Sequence, residues 1–351
     1  MAAGHRAIVR DRMYLRQVPR PRVFRDRSNP LEDLREEEIF ARYRFRPDTI
    51  YFIVDLCQAA ARDTGRCFAI PLVLCVLSYL RFLATGAFQL TVGDTVNLSQ
   101  PTVSRVCRQV GQVLSALADR YICFPSGDRV RQVKQQFGAM AGFPNVVGVI
   151  DCTHVSIKKP SANPEDYIGR KGIPTINVQD YISSSDVARE DTRCTNLAPM
   201  CTPKEVLRRY DHVVYDLING YIGDMQGFLL ADSGYACTRY MLTPYMNPVG
   251  EAQARYNGAL CRTRVTVEQT FGILKQRFQV LRRKLNCYPE RACVHIRNCI
   301  TLHNLGIDRR DIVAVDPIDP NDNPHYHGVD VGDNMDGRAA REYVTRMYFE
   351  R

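Results

Sequence analysis

Apolar positions recur at helical spacing through the first third of the chain. Glu36-Glu37-Glu38 opens a predicted helix that continues through Ile39, Phe40 and Tyr43. Asp48 reads as the cap of a second, carrying Ile50, Phe52, Ile53 and Leu56, and a third spans residues 71–85 and stops near Gly86. Residues 88–117 predict two helices: 92–96, a turn at Asn97 and Leu98, then a helix capped by Ser99 with Pro101 in its first turn, where proline is tolerated. On that last helix Val103, Val106, Cys107 and Val110 fall on one face. Thr102, Ser104, Arg105 and Arg108 fall on the other, a polar and basic one. This is the outline of a helix-turn-helix, whose second helix enters a DNA major groove, and an ordinary amphipathic hairpin would carry the same pattern.

From about residue 144 the pattern changes. Residues 146–150 are a continuous apolar run of strand type that ends in Asp151, with Cys152-Thr153-His154 behind it. Residues 176–178 make a weaker strand. Residues 227–231 make a clear one, which again ends in an aspartate, Asp232, before Ser233-Gly234-Tyr235. A periodic helix follows over 265–281 with Glu268 near its start, and another over 290–305. Residues 315–337 are rich in Asp, Pro, Asn and Gly. The expected organisation is a basic flexible N-terminus over 1–30, a small all-α unit over 31–135, an α/β domain over 144–310, and an acidic disordered tail over 311–351.

Charge sharpens this picture. Of a net +9, most sits in residues 1–135, which hold 21 Lys and Arg against 13 Asp and Glu, a difference of 8. Such asymmetry favours a polyanion partner, of which nucleic acid is the commonest, although a solvated arginine tail would give the same count. No run of about 18 apolar residues exists, so no membrane partner is expected. The arginine-studded first 27 residues contain no apolar segment of the secretory kind. The 13 scattered cysteines are therefore expected as free thiols.

Two strands that each end in an aspartate, and a helix that supplies a glutamate, suggest one acidic site. Ligands gather beyond the carboxyl ends of strands in open α/β sheets. Carboxylates converging there repel one another unless a cation sits between them, and an all-oxygen donor set suits Mg²⁺ or Mn²⁺. Such ions assist phosphodiester cleavage. Cys293, His295, Cys299 and His303 form no zinc-finger spacing and read as core residues of an apolar helix. Cys152 lacks the partners of a thiol nucleophile. Arg170-Lys171-Gly172 reads equally as a phosphate contact or as a surface turn.

Asp232 and Glu268 are separated by 35 residues, an interval familiar from DDE transposases. The text around them resembles the PIF/Harbinger group closely, in particular the Harbinger transposase-derived nucleases of vertebrates. The matching stretches are Arg22-Val-Phe-Arg-Asp-Arg-Ser-Asn-Pro30, Gly148-Val-Ile-Asp-Cys-Thr-His154, Arg170-Lys-Gly172, Asn177-Val-Gln179, Leu229-Leu-Ala-Asp-Ser-Gly-Tyr235, Leu242-Thr-Pro244, Val267-Glu-Gln-Thr-Phe-Gly-Ile-Leu-Lys-Gln-Arg-Phe278 and Leu302-His-Asn304. They cover most of residues 22–310. The resemblance implies an RNase H-like catalytic domain behind a helical DNA-binding region, and divalent-metal nuclease chemistry at Asp151, Asp232 and Glu268 without transposase activity. It also implies a Myb-like DNA-binding partner protein and residence in nucleus and cytoplasm. Arg264, Glu268 and Lys275, at i, i+4 and i+11, share a helical face. Related bacterial transposases use such an Arg and Lys to grip DNA phosphates.

One segment departs from the group. After Gln179 its members continue into another strand and a Trp-Pro-Gly-Ser-x-His-Asp motif, whose Asp also serves the metal site. This chain has no tryptophan, and residues 180–215 lack strand periodicity. Asp186, Asp191 and Asp211 are weak substitutes. A missing strand and a missing ligand predict a catalytically impaired DNA-binding protein as the alternative to an active nuclease.

Overall fold

The computed structural model describes residues 29–58, 69–169, 172–182, 194–196, 227–311 and 335–350. The expectations for the arginine-rich N-terminus, for Arg170 and Lys171, and for Asp186, Asp191 and Asp211 fall outside them.

Helices fill the first part. Asn29 caps α1 (Pro30–Asp33) by accepting from the Leu31 amide at 3.2 Å. The Glu38 carboxylate accepts from the Arg35 amide at 3.2 Å and from Arg35 Nε at 3.4 Å, which starts α2 (Glu36–Tyr43). In α3 (Pro47–Leu56) the cap is Arg46, with Asp48 in the first turn instead of the expected capping position. Apolar α4 (Leu72–Thr85) stops at Gly86, which takes the left-handed conformation that glycine adopts cheaply.

Next come α5 (Gln89–Asp94) and α6 (Gln100–Ala116), two helices around a tight turn. Gly93 makes the turn possible, since a Cβ there would stand 2.3 Å from the Leu98 carbonyl oxygen, which is no distance for a carbon atom. On α6, Val103, Val106, Cys107 and Val110 are buried and Arg105 and Arg108 are exposed, as the spacing predicts. Ser99 stands at the cap position, but its hydroxyl meets the Thr102 hydroxyl at 2.9 Å and caps no backbone amide.

After α7 (Ala118–Tyr121), α8 (Asp128–Ala141) runs across the expected boundary near residue 135. Its Val133 and Phe137 are buried with sheet residues, so this helix packs with the α/β part.

Among the described residues the sheet has five strands, in the order β3-β2-β1-β4-β5. The central strand is β1 (Val146–Ser156), antiparallel to β2 (Thr175–Ile182) and parallel to β4 (Phe228–Leu230). β3 (Cys194–Asn196) pairs with β2, and β5 (Met241–Leu242) with β4. A mixed sheet flanked by helices is the arrangement expected of a DDE domain. Two expectations change. Asp151 lies in the middle of β1, because residues 152–156 continue the ladder with β2. The segment over 180–215, read as strandless, contains the end of β2 and the whole of β3.

The catalytic-type helix is longer than predicted: α9 covers Gly250–Arg277, so Glu268 lies in its second half and not near its start. A 3₁₀ turn (Gln279–Leu281) leads to α10 (Pro289–Asp308). The expected disordered tail requires correction as well, because Met335–Phe349 forms α11, with Val344 and Phe349 packed beside Phe143 and Tyr256. Residues 312–334 are not among those described.

One core cluster joins the N-terminal helices to α10 and to Val155, Ile157, Ile176 and Val178 of the sheet. Hydrogen bonds tie its polar groups together. The Tyr79 hydroxyl meets His295 Nδ1 at 2.9 Å, and Asn298 Nδ2 donates to Tyr79 Oη and to the Gly111 carbonyl, both at 2.8 Å. Burial lowers the His295 pKa to about 4, so the imidazole is neutral and serves packing. Cys299 and His303 are buried on the same helix. Nine described cysteines form no disulfide, but Cys293 is disulfide-bonded, against the expectation of thiols throughout.

Candidate active site

β1 carries Asp151 between α9 on one side and β2 and β4 in the sheet. Its side chain is almost fully buried, with Oδ1 accepting from the Cys152 amide at 2.7 Å and Oδ2 from Arg264 Nη2 at 3.0 Å. Asp232 lies two residues beyond the end of β4 and is also buried. Its Oδ1 accepts from the Gly234 amide at 3.0 Å, a turn that fixes the carboxylate's direction. Glu268 comes one helical turn after Arg264 and is partly exposed, with Oε1 3.9 Å from the same Nη2. Parallel pairing of β1 with β4 and the packing of α9 on β1 therefore bring Asp151, Asp232 and Glu268 into one electrostatic neighbourhood around Arg264.

The titration behaviour reflects this. Burial raises the Asp151 pKa above the ordinary carboxylate range; Arg264 and the Cys152 amide pull it down, and Asp232 pushes it up. Burial raises Glu268 too, again opposed by Arg264 and reinforced by Asp151 and Asp232. At Arg264 burial works against the charge, but Asp151, Asp232 and Glu268 outweigh it and the pKa rises. If all three carboxyls ionise, three negative charges face one positive, leaving −2. One divalent cation neutralises that remainder. Among the described residues no three acidic, His or Cys side chains stand close enough to grip a metal ion as they are, and Arg264 takes up one oxygen of Asp151. The donor set fits Mg²⁺ or Mn²⁺ in kind, being all carboxylate oxygen.

Lys275, two turns on from Glu268, reaches back to β1. Its Nζ donates to Thr153 Oγ1 at 2.5 Å and to the His154 carbonyl at 3.3 Å, and burial lowers its pKa, with Arg282 contributing. It is therefore partly engaged by the protein. Thr102, Ser104, Arg105 and Arg108 are on α6, where Arg105 Nη2 donates to Thr102 Oγ1 at 3.3 Å. A further pair escapes a reading of the sequence. The Tyr235 hydroxyl accepts from Gln179 Nε2 at 3.2 Å, and burial raises its pKa with Cys152, Asp151 and Asp232 adding to the effect. Both belong to the stretches Asn177-Val-Gln179 and Leu229–Tyr235, which is the signal that could have found them.

The family described as DDE superfamily endonuclease matches residues 150–304, a span that contains all three carboxylates. The Mus musculus protein named "Putative nuclease HARBI1" is 31% identical over 293 residues, 82% of each chain, and its Bos taurus counterpart is 30% identical over the same share. "Protein ALP1-like" of Arabidopsis thaliana is 23% identical over 66% of this chain and 60% of its own. No solved structure matches the chain. A family match that spans the carboxylates, together with about 30% identity along most of the length, means that this chain belongs to the Harbinger-derived DDE superfamily endonucleases.

Proposed function

We propose that the protein is a divalent-metal-dependent DNA endonuclease that hydrolyses phosphodiester bonds, with Asp151, Asp232 and Glu268 as the metal-holding carboxylates and no transposase activity. The observation that carries this is the charge imbalance of three coupled carboxylates around one guanidinium. Mg²⁺ or Mn²⁺ bound there supplies activation of the attacking water and relief of charge on the leaving oxygen. Arg264 holds Asp151 in place, the Gly234 amide holds Asp232, and Lys275 ties the carboxylate-bearing helix to β1. In a plasmid-nicking assay with Mn²⁺, Glu268→Gln should lower the cleavage rate on the order of 10²- to 10³-fold, the usual effect of losing one group that stabilises developing charge. Equal rates in the two proteins would remove Glu268 from the chemistry.

In this reading α6 delivers duplex DNA through Thr102, Ser104, Arg105 and Arg108. Affinity should then fall steeply with salt, with a log–log slope of about −0.9 per phosphate contact, and Arg105→Ala with Arg108→Ala should weaken binding and flatten that slope. Anisotropy titrations at several salt concentrations decide this; a salt-insensitive affinity, or no loss in the variants, counts against α6. A Myb-like partner and residence in nucleus and cytoplasm rest on the resemblance alone.

A second reading, a DNA-binding protein with impaired catalysis, is favoured by one observation, the Arg264 guanidinium bonded to Asp151 at 3.0 Å. Duplex binding without nicking at any Mn²⁺ concentration selects it.

A further inference from the structure

A cavity of about 910 Å³ opens away from the carboxylates, between the helix-turn-helix and the far end of β1. Three parts of the chain make its wall. Gln100 and Ser104 come from α6, with Phe88 and Leu90 from the start of α5; residues 158–161 continue β1; residues 280–289 join α9 to α10. The last two are held side by side, because the Lys158 amide donates to the Leu285 carbonyl at 2.8 Å and the Leu285 amide to the Ser156 carbonyl at 2.9 Å.

The lining is charged in one sense. Lys158, Lys159, Arg283, Lys284 and Arg291 contribute five cations, and no residue of the lining is acidic. Among the described residues none of these five forms an ion pair with a carboxylate. Phe88 and Tyr288 line the same cavity while 73% and 71% exposed, an unusual state for large rings. Cations alone would suit any polyanion. Cations interleaved with exposed rings suit a polyanion that carries flat apolar faces, which is a nucleic acid strand with unstacked bases. A duplex hides those faces in its own stack.

The position also fits. From Asp151 to Lys158 the chain advances seven residues, roughly 23 Å along an extended strand. Between the two stands Lys275, bonded to Thr153, and Arg282 is near enough to act electrostatically on Lys275. Positive groups thus lead from the carboxylates to the cavity.

We propose that this cavity binds a single DNA strand, its phosphates on the five cations and one unstacked base against each of Phe88 and Tyr288. The inference rests on the DNA reading above and adds a strand-specific site to it. A DNA end frayed or opened near the carboxylates would leave one strand here, while α6 holds the intact duplex.

The test uses the full chain without divalent metal, a fluorescent oligothymidylate of about a dozen nucleotides, and a duplex of equal length. Phe88→Ala and Tyr288→Ala should each weaken single-strand binding about 5- to 100-fold, the size of one base stack, and leave duplex affinity within about twofold. Lys158→Ala/Lys284→Ala should reduce the single-strand salt slope by about 0.7 for each phosphate no longer neutralised. Both rings are exposed, so thermal melts should match the wild type; a melt lowered in both ring variants, with loss of duplex binding, would make them structural and overturn the assignment. Unchanged single-strand affinity in all variants, or duplex binding with no single-strand binding, overturns the cavity and leaves the DNA reading standing. Failure to bind either form overturns the DNA reading itself. An abasic strand bound as tightly as oligothymidylate overturns the base contact, and displacement by poly-glutamate at equal charge concentration assigns the cavity to an acidic protein segment instead.

Discussion

Arg264→Met should lose about 3–5 kcal/mol of folding stability at pH 8 without metal, the usual cost of removing one partner from a buried ion pair. Arg264 is 7% exposed and sits among three carboxylates, of which Asp151 is bonded to it directly. Methionine keeps the length and the helix but leaves those carboxylates with no internal cation. The pH dependence gives the idea its sign. Asp151 and Glu268 already have raised pKa values in the folded protein, so their protonated forms favour folding. That contribution is complete below their unfolded values near 4 and is lost as pH rises through the raised folded values. Without Arg264 the folded values rise further. The deficit of the variant should therefore be small at pH 4 and grow toward pH 8. Mn²⁺ should narrow it, since without Arg264 the carboxylates present one more uncompensated negative charge to the cation than in the wild type, and each tenfold gain in affinity adds about 1.4 kcal/mol at saturating metal. Chemical denaturation at both pH values, with and without Mn²⁺, reads this out. A deficit independent of pH and of Mn²⁺ would mean that Arg264 acts through packing and that the carboxylates do not share a cation site.

That site is legible in the sequence by letter more than by position. The apolar run before Asp151 reads as a strand end because Cys152, Thr153 and His154 are polar, yet these residues form the antiparallel ladder with β2, where only alternate side chains must be apolar. The first half of α9 escapes for a related reason. After Tyr256, Ala259 and Leu260 its buried face passes to Thr263 and then Arg264, polar letters that break the apolar stripe. Thr263 and Thr270 donate back to the carbonyls four residues earlier, each at 2.8 Å, which lets a polar residue lie in a core. By contrast, α4 and α6 are clear, since their buried faces are made of apolar letters at helical spacing. β3 is three residues long, too short for any period to show. The basic cavity cannot be read from the sequence at all: four of its five cations come from two loops 125 residues apart, at Lys158 and Arg283, brought together by the pairing of Ile157 with Leu285, and the fifth, Arg291, comes from α10.

Removing residues 335–351 should destabilise the protein by at least as much as Phe349→Ala, for which about 3–5 kcal/mol is the ordinary cost of emptying a buried aromatic position. Composition hides this, because the residues before α11 are acidic and rich in Pro and Gly. α11 nonetheless packs on the first half of α9. The Phe349 ring lies 5.5 Å from Phe143 and 5.7 Å from Tyr256, and its carbonyl accepts from Arg255 Nε at 2.9 Å and Nη2 at 2.6 Å. Arg341 places its guanidinium 4.3 Å from the Tyr245 ring centre and donates to the Pro244 carbonyl, so the chain just after β5 is held as well. These contacts fix the helix that carries Arg264 and Glu268, which lie further along it than Arg255 and Tyr256. Loss of α11 should therefore act twice: a lower unfolding midpoint, and Mn²⁺-dependent nicking reduced at temperatures where the chain is still folded. Phe349→Leu retains most of the buried apolar surface and should recover the greater part of both. A truncated chain with wild-type stability would show that α11 is an accessory, and wild-type nicking by a destabilised but folded truncation would separate the helix from the geometry of the carboxylates.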